Sequence, residues 1–195
     1  MSEKQPTSFT LLARVRARDE TAWSRLARLY GPLVRHWCGR LGVRGDEADD
    51  VLQEVLTAIA TSLGDFRPGG GPGSFRAWLR GVTRHKLLDH IRRRDRQPGG
   101  RGGTDAQRLL REVADAETDF GDDPPEEVTG LYHRALELVR SEFEPKSWQM
   151  FWRVAVDGHP VELVAAEAGV SPAAVRMAKS RVLRRLKEEV GDLAG

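Results

Sequence analysis

Apolar residues recur along this chain at helical spacing, and nowhere do they alternate for long enough to make a strand, so the pattern predicts an all-α protein. Residues 10–18 read as a short helix with Leu11, Leu12 and Val15 inward. Asp19 is placed to cap the next helix. That helix carries the stripe Ala22, Trp23, Leu26, Leu29, Tyr30, Leu33, Val34 and Trp37 and ends near the glycines of 39–42. Pro32 in its middle predicts a kink or a break, because proline lacks an N–H and its ring meets the carbonyl one turn back. Asp46 opens a third helix with Val51, Leu52, Val55, Leu56, Ile59 and Leu63 inward. The run FRPGGGPG over 66–73 suits only a loop. Ser74 then caps a fourth helix over 75–96, whose apolar residues are Phe75, Trp78, Leu79, Val82, Leu87, Leu88 and Ile91.

The QPGGRGG run over 97–103 ends this first set of helices. Residues 98–125 read as a flexible linker, with one candidate short helix over 108–116. A helix over 126–143 follows, with Val128, Leu131, Leu136, Leu138 and Val139 apolar. Pro145 punctuates, and 147–156 forms a helix rich in Trp148, Met150, Phe151, Trp152 and Val154. Val161, Val164, Ala165 and Ala168 then mark one face of a short helix that stops at Gly169, where a left-handed backbone costs glycine nothing. Ser171-Pro172 starts the last helix, with Val175, Ala178, Val182 and Leu186 inward. The fold class is therefore all-α. Two small helical domains, 1–97 and 126–195, are joined by the linker 98–125.

The net charge of +2 says little, but its distribution says more. Arginine and lysine crowd 76–96 and 176–187, and acids crowd 112–127, which points to two separate phosphate-facing surfaces. No apolar run approaches the ~20 residues needed to span a bilayer. The N-terminal stretch has no apolar signal core, so a cytoplasmic protein without membrane insertion is expected. The single Cys38 excludes an intramolecular disulfide framework and any multi-cysteine zinc site. His36, His85, His90, His133 and His159 lack metal-ligand spacing, and no nucleophile sits in a recognisable setting. No catalytic residue, metal or cofactor is expected, and the chain does not read as an enzyme.

Two short amphipathic helices joined by a glycine turn, the second one basic, describe a helix-turn-helix whose second helix enters a DNA major groove. A solvated helix of an ordinary bundle would also be charged; the coincidence of turn chemistry with one-sided charge favours DNA. Two other stretches stay open on local grounds. Phe75 and Trp78, at the head of a basic helix, could stack on unpaired bases or simply fill a core. The acids Glu47, Asp49, Asp50 and Glu54 could serve a partner or merely complement a helix dipole.

Four features stand in fixed order: the acidic run D49-D50-V51-L52-Q53-E54-V55, a Gly/Pro loop, the basic helix opening F75-R76-A77-W78-L79, and a C-terminal helix-turn-helix beyond a linker. Together they resemble the extracytoplasmic-function sigma factors, the small two-domain promoter-recognition subunits of bacterial RNA polymerase. The resemblance implies that 1–97 matches the core-binding and promoter-melting region 2, and 126–195 the minus-thirty-five-reading region 4. It implies that Glu47, Asp50, Gln53 and Glu54 dock on the clamp coiled coil of the largest polymerase subunit. It assigns the minus-ten element to Phe75, Trp78, Arg80, Arg84, His85, Asp89, Arg92 and Arg93, with His85 and Gly81 standing where the family often has Asn and Arg. The minus-thirty-five element falls to Ser171, Arg176, Lys179, Ser180, Arg181 and Arg184. The implied partners are the polymerase core (that clamp and the flap of the second-largest subunit), promoter DNA and an anti-sigma factor. On the same resemblance the linker follows the RNA path, with Asp115, Glu117, Asp119, Asp122 and Asp123 facing a basic channel. Two competing readings are a dimeric helix-turn-helix regulator on an operator, and a nuclease or recombinase. The first lacks a dimerisation helix and leaves the basic, aromatic first domain without a task. The second lacks a nucleophile or metal-binding carboxylates.

Overall fold

The structure is a computed structural model that describes residues 11–66, 75–95 and 123–190. Among these residues there are eight helices: α1 (Leu11–Arg16), α2 (Glu20–Arg40), α3 (Asp46–Ser62), α4 (Phe75–Asp95), α5 (Pro125–Arg140), α6 (Pro145–Ala155), α7 (Val161–Ala168) and α8 (Pro172–Val190). No strand occurs among them, so the all-α expectation holds. The Ser74 cap, the 67–73 part of the loop, the candidate helix over 108–116 and most of the linker lie outside the described residues. The chain divides into two compact units, one holding 14–131 and one holding 132–191. The division falls inside α5, so the first turns of that helix belong with the first unit.

In the first unit α2, α3 and α4 pack against one another. Leu26, Leu29, Leu33 and Trp37 of α2, Val51, Val55 and Ile59 of α3, and Leu79, Leu87 and Ile91 of α4 are all buried. The entry to α2 is fixed as expected. Asp19 Oδ1 accepts from the Thr21 and Ala22 amides at 2.9 and 3.1 Å, and Arg14 Nε donates to Oδ2 at 2.9 Å. Hydrogen bonds from the Thr21 hydroxyl, from Arg14 and from the Ala22 amide hold the Asp19 carboxyl well below the usual carboxylate range. Pro32 does not break α2, which is helical from Glu20 to Arg40. The missing N–H and the ring clash cost about 3 kcal/mol. Burial of Leu29, Tyr30, Leu33 and Val34 on either side exceeds that, each contributing about 2 kcal/mol.

In the second unit α6, α7 and α8 form a three-way packed body. Met150, Val164, Ala165, Val175 and Ala178 make its centre, flanked by Val154, Val161, Ala168 and Val170. Pro145 is the first residue of α6 rather than a spacer before it, because proline at the first helical position loses no hydrogen bond.

Candidate nucleic-acid interface

The α7–turn–α8 unit is built by its turn. Gly169 adopts φ 63° and ψ 41°, and the Val170 amide donates back to the Ala165 carbonyl at 3.0 Å, closing α7. Ser171 Oγ accepts from the Ala174 amide at 3.2 Å and caps α8. Val175, Ala178 and Val182 are buried, which turns Arg176, Ser180, Arg181 and Arg184 to solvent with Lys179 half-buried beside them. Arg176 Nη2 pairs with Glu162 Oε1 of α7 at 3.1 Å, with both side chains mostly exposed. Such a surface pair is worth less than about 1 kcal/mol, so the guanidinium can leave it for a base edge. An Arg153–Glu167 ion pair ties α6 to α7, and its hydrogen bond holds the Glu167 carboxyl below its usual value.

The basic helix α4 is set by a stripe at every fourth residue. Phe75, Leu79, Thr83, Leu87 and Ile91 are all buried. Thr83 was not legible as a core position; its Oγ1 donates to the Leu79 carbonyl at 2.8 Å, which removes the penalty of burying a hydroxyl. Phe75 resolves the open question about the aromatics. It is 2% exposed, edge-on to Tyr30 and Phe66 at centroid distances of 5.0 and 5.6 Å, with Trp78 at 5.5 Å. In this structure Phe75 is therefore a core ring with no face open to a base. Trp78 is half-buried beside it, with its ring 5.4 Å from Phe66 and 5.5 Å from Phe75.

The outer faces of α4 are already partly engaged. Arg93 pairs with Glu54 of α3, and Arg94 Nη1 lies 3.0 Å from Glu47 Oε2. Two of the four residues expected to meet the polymerase, and one expected to meet DNA, are thus joined to the neighbouring helix. These pairs follow from the antiparity of charge: acids open α3 and arginines close α4. Asp50 and Gln53 remain exposed on α3. His85 Nε2 and Arg92 Nη1 flank Asp89 at 3.4 and 3.6 Å, and His85 is the more exposed of the two. Arg84 is half-buried.

Asp123 departs most from expectation. Instead of facing a channel as a solvated linker acid, its carboxyl is 1% exposed within the first unit. Trp37 Nε1 donates to Oδ1 at 2.8 Å, and Arg80 Nη2 and Arg76 Nε stand 2.8 and 3.3 Å from Oδ2. Arg80 also lies over the Trp37 ring at 5.5 Å. Four residues later His36 Nδ1 meets Glu127 Oε1 at 3.2 Å. Trp37 read only as one more core aromatic; its indole N–H, which needs an acceptor when buried, was the signal that a polar partner would come from elsewhere in the chain.

Among the described residues no group of three or more His, Cys, Asp or Glu could hold a metal ion. No described helix is long and apolar enough to cross a membrane. A helix-turn-helix in one unit and a cationic helix beside an acidic one in the other are the features of a helical DNA-binding protein.

Comparison with known proteins narrows the class. The sigma-70 region 2 family profile matches residues 26–97. The ECF RNA polymerase sigma factor SigD of Mycobacterium tuberculosis is 32% identical over 191 residues, covering 94% of this chain and 85% of that protein. The ECF RNA polymerase sigma factor SigF of Caulobacter vibrioides is 25% identical over 194 residues, covering 97% of each. A solved structure of CnrH in complex with the cytosolic domain of CnrY matches loosely, with a TM-score of 0.37, 22% identity, and 91% and 92% of the two chains covered. The chain belongs to the ECF RNA polymerase sigma factors. It is an alternative sigma factor, and a dimeric operator-binding regulator is not favoured.

Proposed function

We propose that the first unit binds the polymerase core and holds the opened minus-ten strand, while the second reads the minus-thirty-five element as duplex. The observation that carries this is the division of exposed cationic helices between two units: α4 in one, α8 in the other. Duplex is read in the major groove, where all four base pairs differ, and this suits α8 with Arg176, Lys179, Ser180, Arg181 and Arg184, started by Ser171. Holding a displaced strand needs cations and an aromatic ring together, and this suits Trp78, Arg84, His85 and Arg92 on α4, with Asp89 orienting His85 and Arg92. Arg80 and Arg93 join only after leaving Asp123 and Glu54. Phe75 serves by holding Trp78 in place.

On α3, Asp50 and Gln53 are the exposed polar pair for the clamp coiled coil, with Glu47 and Glu54 shared with α4. The flap of the second-largest subunit and an anti-sigma factor are further partners consistent with the family. The protein works in the cytoplasm by recruitment and strand capture, without chemistry of its own. The test is core binding by fluorescence titration. Changing Asp50 and Gln53 together to Ala is expected to weaken the complex about tenfold, as for loss of two interfacial polar contacts. Unchanged affinity with an intact fold would remove the α3 assignment.

A further inference from the structure

We propose that Arg76, Arg80 and the Trp37 indole form a phosphate-binding socket, which Asp123 closes in the free protein and a nucleic-acid backbone phosphate opens. This deepens the strand-holding role given to the first unit and rests on it.

The socket presents an indole N–H and two guanidinium groups to one carboxylate. Two cations against one anion leave an excess positive charge. Arg80 Nε is buried and donates to no described acceptor. Asp123 Oδ2 is likewise buried without a hydrogen-bond partner, so the carboxylate stands at ion-pair distance from the two arginines but does not match the directions of their N–H groups. A phosphodiester carries the same single charge and two non-bridging oxygens on one atom, with bridging oxygens besides. It therefore fits the same grip and can reach the donor that Asp123 leaves unserved. Arg76 and Arg80 keep about a fifth of their side-chain surface open (22% and 20%), so the mouth faces solvent, while the carboxylate itself is covered.

Asp123 is held at this mouth by its neighbours. It stands two residues ahead of α5, whose first turn is tied to α2 through Glu127 and His36. A tethered carboxylate competes as an intramolecular ligand, and affinity for an external phosphate falls by the fraction of time the socket is open. If Asp123 occupies it nine-tenths of the time, apparent affinity drops about tenfold.

The test uses the full chain and a fluorescein-labelled 20-nucleotide oligo(dT), read by fluorescence anisotropy at one fixed salt concentration. Asp123→Asn keeps the shape and removes the charge, and is expected to bind about tenfold more tightly than the wild type. In an Arg76→Gln, Arg80→Gln background the same change is expected to give no gain. Glu127→Gln loosens the tether without touching the socket and is expected to give about a threefold gain. That variant keeps the proposal testable even where Asp123→Asn fails to fold. No gain in either single variant overturns the socket. So does an equal gain with both arginines replaced, since that reflects only the loss of a negative charge. The sigma-factor reading is separated by transcription with core polymerase. If the wild type transcribes while these variants bind oligo(dT) no better, the socket alone is wrong. If the pattern of gains appears without any transcription, the socket stands and the promoter role falls.

Discussion

Phe75→Ala separates a core ring from a base-stacking ring. The ring removes about 170 Å² of apolar surface from water, worth about 4 kcal/mol at 25 cal/mol per Å². Its edge-to-face contacts with Tyr30 and Phe66 add to that, and the cavity left between Tyr30, Phe66 and Trp78 closes only in part. A loss of about 4 kcal/mol is a large share of the 5–15 kcal/mol that holds a domain together. In a urea titration followed by tryptophan fluorescence, an m-value of about 2 kcal/mol per molar turns this into a midpoint shift of about 2 M. Phe75→Leu keeps most of the apolar volume and is expected to shift the midpoint by less than about 1 M. Promoter opening with core polymerase, read by permanganate reactivity of unpaired thymines, is expected to survive in Phe75→Leu. The result that would refute this is a Phe75→Leu protein as stable as the wild type that binds core and yet opens no promoter. Leucine fills a core but offers no π-face, so that outcome would place the ring against a base.

Three further outcomes follow from single positions. Gly81→Ala on α4 meets nothing within 4 Å and sits in regular helix, so it is expected to stabilise the first unit by up to about 1 kcal/mol, seen as a rise of a few degrees in Tm. Gly169→Ala also meets nothing within 4 Å, but at φ +63° the backbone strain alone is expected to cost about 1 kcal/mol and to weaken duplex binding, measured by anisotropy on minus-thirty-five DNA. Burial pushes the Cys38 thiol up to about 11, so at pH 8 only about one thiol in a thousand is ionised and alkylation by iodoacetamide is expected to be slow until urea unfolds the first unit. Because its folded pKa lies above the unfolded value, the associated stability is present below about pH 9 and is lost as pH rises towards 11, readable as a falling urea midpoint.

The C-terminal unit was legible almost residue by residue. Gly169, Ser171 and Pro172 are local signals whose turn chemistry needs no distant partner, and the short spacing between Val164 and Val182 leaves little choice of face. The α4 helix was legible in its extent but less so in its function. Phe75 looked equally suited to core and base because its fate is decided by Tyr30, on another helix, and by Phe66, on the far side of the Gly/Pro run. Of the kink or break expected at Pro32, the break does not occur, because burial on both sides outweighs a local penalty of a few kcal/mol. Asp123 was beyond sequence reasoning: its partners Trp37, Arg76 and Arg80 are 86, 47 and 43 positions away, and one acid among many carries no mark of burial. The same holds for Arg93 and Arg94, whose pairing with Glu54 and Glu47 depends on how α3 and α4 pack.

Run-off transcription with bacterial core polymerase and this protein, on a pool of promoter-length DNA fragments, tests the central claim most directly. Discrete start sites that require the protein are predicted, with Arg176→Ala reducing transcripts chiefly from fragments that carry a shared upstream element. Absence of any protein-dependent start, together with failure to form a one-to-one complex with core, would contradict it.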